Sequence, residues 1–72
     1  MPDIETALSI LATEIKNAGY SVRITCNAVQ VSLKNMKVHP YIVERVLDDA
    51  GMEDLYTTNY ACGSTFVRPI IA

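Results

Sequence analysis

One histidine, His39, and two widely separated cysteines, Cys26 and Cys62, are all that these 72 residues offer as cysteine or histidine ligands for zinc. A structural zinc site draws on four such side chains with close-spaced pairs among them, so a zinc-held fold is excluded. Glycine-rich phosphate loops, a G-x-S-x-G elbow and an H-E-x-x-H pair are missing as well. No cofactor, no metal and no independent enzymatic activity are expected. Cations are few: six Lys and Arg face eight Asp and Glu, for a net charge of −2 and a pI near 5.1. The basic footprint that draws a protein to a phosphate backbone is therefore lacking, and nucleic acid is a disfavoured partner. No segment approaches about 18 uninterrupted apolar residues, and Met-Pro-Asp-Ile-Glu lacks the cationic start and apolar run of a secretory signal. No membrane partner is expected. The expected location is the cytoplasm, where Cys26 and Cys62 stay free thiols, with one long-range disulfide as the alternative.

What the chain has in plenty is apolar surface. Half of its residues are hydrophobic, and they form one domain over residues 1–72, because two cores would each fall below roughly 40 residues. A domain of this size hides only about 60% of its unfolded surface. The remainder needs cover, which a homodimer or a protein partner supplies most simply.

The clearest pattern runs from Tyr20 to Leu33. Apolar residues alternate with polar ones at Tyr20, Val22, Ile24 and Cys26, and again at Val29, Val31 and Leu33. The change of phase predicts a hairpin closed by Asn27-Ala28, pairing Cys26 with Val29, Ile24 with Val31 and Val22 with Leu33. Its other face carries Ser21, Arg23, Thr25, Gln30, Ser32 and Lys34, as in a sheet covered by helices on one side. Ala28 is the weak point, since a primed turn prefers glycine there.

Residues 3–18 carry Ile4, Ala7, Leu8, Leu11, Ile15 and Ala18 on one helical stripe, with Pro2 and Asp3 suited to its start and Gly19 to its stop. Ile10 and Ala12 lie off the stripe and widen the apolar arc. A second helix spans Pro40 to Ala50 with Ile42, Val43, Val46, Leu47 and Ala50 on its apolar side, and Gly51 closes it. Superposing Gly51 on Gly19 suggests a repeat of helix, glycine and hairpin. The second hairpin, about Leu55 to Val67, admits two phases. A loop Ala61-Cys62-Gly63 pairs Tyr60 with Ser64, whereas a two-residue Cys62-Gly63 turn pairs Ala61 with Ser64 and Asn59 with Phe66. Pro69 ends the last strand or sits on an edge, and Ile70, Ile71 and Ala72 form an apolar tail expected to dock. The fold class is α+β in the order αββαββ, a four-stranded antiparallel sheet with two helices on one face, analogous in shape to a permuted ferredoxin-like chain.

Two groups of residues suggest binding. Asp48, Asp49, Glu53 and Asp54, with Glu44 one turn earlier, put carboxylates at the negative end of the second helix dipole. An arrangement mildly unfavourable to folding points to an acidic patch that docks on the basic surface of a larger protein; the plain alternative is a solvated rim that aids solubility. The second group is Arg23, Tyr56, Tyr60 and Arg68, which would form a stacking platform for single-stranded nucleic acid if they shared the open sheet face. The leading expectation is a small non-enzymatic interaction module, an adaptor or stoichiometric inhibitor of the kind phages and mobile elements encode. Single-strand binding and a small enzyme subunit are the other readings. His39, ahead of Pro40, is expected in a partly exposed structural role, and Cys62 has no base beside it to make it a nucleophile.

Overall fold

A carboxylate meets unpaired amides at the head of the first helix. In a computed structural model that describes residues 3–70, Asp3 Oδ1 accepts the Thr6 N–H at 2.8 Å and caps α1 (Ile4–Asn17). The bonds from Thr6 favour the ionised form and hold the Asp3 carboxyl below its ordinary value of 3.8. Pro2, expected in the same turn, lies outside the described residues, as do Ile71 and Ala72 of the apolar tail. The stripe is buried at Leu8, Leu11 and Ile15, and Ala12, expected off it, is buried too. Ile4 and Ile10 stay exposed.

The second helix, α2 (Pro40–Asp49), buries Val43 and Leu47. Gly51, at φ 80, ends it: the Gly51 N–H donates to the Asp48 carbonyl and the Met52 N–H to the Leu47 carbonyl, both at 3.0 Å. That pair of bonds satisfies carbonyls the helix end would otherwise leave open.

Four strands, β1 (Ser21–Thr25), β2 (Ala28–Ser32), β3 (Tyr56–Ala61) and β4 (Ser64–Pro69), form one antiparallel sheet in the order β1-β2-β4-β3. Both helices lie on one face, where Leu8, Leu11, Ile15, Val43 and Leu47 meet Val29, Val31 and Val67 in a single core. The fold is the expected αββαββ.

The first turn differs from expectation. Cys26 and Asn27, at φ 50 and 59, make it, and Ala28 begins β2 with its side chain buried. Asparagine tolerates the left-handed region, whereas Asn27-Ala28 would have forced alanine into it. Ile24 therefore pairs with Val29 and Val22 with Val31. Each β1 residue moves two places along β2, an even shift, so the same apolar face still meets the helices. Leu33 lies beyond β2, bridged to Met36, and Cys26 leaves the apolar face for the exposed turn.

Cys62 and Gly63, at φ 52 and 79, close the second hairpin, which selects the pairing of Ala61 with Ser64 and Asn59 with Phe66. Tyr56, Thr58, Tyr60, Thr65 and Val67 consequently share the helix-facing side. Thr65 is fully buried there, and its hydroxyl donates to the Val38 carbonyl at 2.7 Å.

The repeat is real but has a different alignment. The offset that carries Cys26 onto Cys62 also carries Asp3 onto His39 and Tyr20 onto Tyr56, and it exchanges the pairs Val29 with Val67 and Val31 with Thr65. The halves are thus related by a pseudo-twofold through the Gln30 and Phe66 pair. Matching the glycines misaligns the hairpins, because α2 has 10 residues against 14 in α1, and the segment 52–55 makes up the lost turn.

Candidate protein-docking groove

Where α2 ends and β3 begins, Glu44, Asp48, Glu53, Asp54, Tyr56, Thr57, Thr58 and Ile70 line an open groove of about 440 Å³. Among the described residues it holds four carboxylates and no Lys or Arg. Two of the acids are tied to the sheet. The Tyr56 hydroxyl shares its proton between Asp48 Oδ1 at 2.7 Å and the Glu44 carbonyl at 3.1 Å, and the Thr58 hydroxyl donates to Glu44 Oε2 at 2.8 Å. Burial pushes the Tyr56 phenol well above its ordinary value of 10.0, helped by the bond to Asp48 and by the charges of Asp48, Glu44 and Glu53. Glu53 and Asp54 are exposed in the connecting loop, with Asp54 at φ 64.

The five expected acids do not stay together. Asp49 is away from this groove, on a second one of about 330 Å³ lined by Tyr20, Tyr41, Ile42, Arg45 and Val46. Neighbours in a helix stand about 100° apart around its axis, which separates Asp48 from Asp49. Among the described residues no three His, Cys, Asp or Glu side chains gather closely enough to hold a metal ion.

The expected stacking platform is divided between two faces. Arg23 and Arg68 are on the open face, but pairing Ala61 with Ser64 turns Tyr56 and Tyr60 to the helix side. The aromatic residue on the open face is Phe66, half-buried between its pair partners Gln30 and Asn59. Tyr60 instead stacks on His39, with ring centroids 5.0 Å apart and planes at 20°, and His39 stacks on Tyr41 at 6.0 Å and 11°. His39 makes no side-chain capping bond; its ring is held by the tyrosines. Its adjacency to Tyr41 is visible in the sequence, whereas the approach of Tyr60 follows only from the register of β3. Cys26 and Cys62 are free and exposed at opposite ends of the sheet, so the disulfide alternative does not form.

Comparison with family models, with curated proteins and with solved structures finds no match to this chain.

Proposed function

We propose that this chain is a small non-enzymatic protein-binding module that docks a basic segment of a larger partner in the groove between α2 and β3. One observation carries the reading: among the described residues Glu44, Asp48, Glu53 and Asp54 line the groove with no Lys or Arg beside them. Carboxylates left without internal counter-charges repel one another, and a cationic partner relieves that repulsion and is steered toward it. Glu44 and Asp48 also anchor β3, which fixes their charges at defined places along the strand. The exposed apolar residues Leu55 and Ile70 sit beside the groove, joined through the Ile70 N–H and Leu55 carbonyl at 2.9 Å, and offer contact area next to the charge. In an adaptor or stoichiometric inhibitor this is enough, since occupying a surface requires no reactive group.

The test is binding of an arginine-rich peptide to the intact chain by fluorescence anisotropy across a salt series. Binding that weakens steeply with salt supports the groove, and equal affinity for a neutral peptide of the same length excludes it.

A further inference from the structure

The strand beside the groove is a free sheet edge. Among the described residues nothing pairs with the outer side of β3, and edge strands left open are commonly blunted by charge, proline or a bulge. β3 has none of these: Tyr-Thr-Thr-Asn-Tyr-Ala is uncharged, and its register with β4 is unbroken from Tyr56 to Ala61. The opposite edge, β1, is shorter and carries Arg23.

The ladder fixes which backbone groups point outward. In a two-residue hairpin the flanking pair, here Ala61 and Ser64, exchanges both backbone bonds, and bonded pairs recur at every second residue. The bond from the Ile70 N–H to the Leu55 carbonyl falls on the same alternation. Thr57 and Asn59 therefore bond to β4, while Tyr56, Thr58 and Tyr60 turn their N–H and C=O groups outward. Residues of an added strand opposite these three place their side chains on the same, helix-facing side. On that side Asp48 meets Tyr56, Glu44 meets Thr58, and Tyr60 lies against His39.

We infer that β3 receives an extended basic segment of a partner protein as a fifth, antiparallel strand, reading aromatic-x-basic-x-basic from its amino end. The two basic residues face Glu44 and then Asp48, and the aromatic residue faces Tyr60. Antiparallel addition continues the pattern of the sheet and is the more stable pairing per residue. This rests on the docking reading above and adds to it a binding mode and a spacing rule.

The test uses the intact chain and three labelled peptides. The first has Phe-Thr-Arg-Thr-Arg flanked by threonines, the second has the same composition with adjacent arginines, and the third repeats the first with the backbone nitrogen of each arginine methylated. Strand addition predicts that the second and third bind about tenfold or more weakly than the first, because one loses the alternation and the other two backbone donors. It also predicts slower amide exchange at Thr58 and Tyr60 in the first complex. Equal binding of all three with unchanged exchange overturns strand addition and leaves charge-driven docking standing. Absence of binding by all three at low salt overturns both.

Discussion

The Tyr56 hydroxyl donates to the Asp48 carboxylate at 2.7 Å, and this bond links the last turn of α2 to the first residue of β3. Tyr56→Phe removes the bond and keeps the ring against the core. An expected loss of about 1 kcal/mol, read by urea denaturation, reflects one hydrogen bond to a charged acceptor that water partly replaces. The pH dependence carries a sign. Folding raises the phenol above the 10.0 of the unfolded chain, so the folded state keeps this proton more tightly. Its contribution is complete below pH 10 and is lost as the pH rises through the folded value. The wild-type unfolding free energy should therefore decline above pH 10 more steeply than that of Tyr56→Phe.

Asn27 and Ala28 differ in backbone region, and glycine at each position reports which one forms the turn. Asn27 is left-handed at φ 59, whereas Ala28 is extended within β2 and buried. Asn27→Gly should be neutral or stabilising by a few tenths of a kcal/mol, and Ala28→Gly destabilising by about 0.5–1 kcal/mol. Thermal denaturation of the two variants checks the order. A reversed order would restore the Asn27-Ala28 turn.

The helices were legible because their signals are local: a 3.6-residue stripe and a glycine at each stop. The face of the first hairpin was legible too, but its register was not, since Cys26-Asn27 and Asn27-Ala28 turns leave the same apolar face toward the helices. The second hairpin looked unphased because Thr58 and Thr65 face the helices. Their partners, the Glu44 carboxylate and the Val38 carbonyl, lie far away in sequence. The acidic cluster was legible as composition, and the 100° step between Asp48 and Asp49 was the unused sign that it would divide. The meeting of Tyr60 with His39 had no such sign, because it depends on how α2 lies over β3.

Leu47 and Ile24 mark the two ends of the burial scale on the helix-facing side. Leu47 is 0% exposed, while Ile24, paired with Val29 on the edge strand β1, is 52% exposed. The pseudo-twofold explains the exposure: Ile24 corresponds to Tyr60, which His39 covers, and the counterpart of His39 is the capping Asp3. Leu47→Ala should cost about 2–5 kcal/mol, enough to unfold a domain of this size, whereas Ile24→Thr should stay within about 0.5 kcal/mol. Circular dichroism melts of both variants check the contrast.

Glu53 and Asp54 allow the groove to be discharged without disturbing the anchors of β3. Neither donates or accepts a side-chain bond among the described residues, whereas neutralising Glu44 or Asp48 also weakens the hold on Thr58 or Tyr56. Asparagine suits the left-handed backbone of Asp54 as aspartate does. Glu53→Gln with Asp54→Asn should therefore leave the melting temperature nearly unchanged and lower affinity for an arginine-rich peptide about fivefold at low salt, mainly through a slower association rate. Asp49→Asn, outside the groove, serves as the control, with one charge removed where the pair removes two. Its affinity should stay close to wild type. If Asp49→Asn weakened the peptide by half as much as the pair did on a logarithmic scale, net charge and not the groove would be drawing the partner.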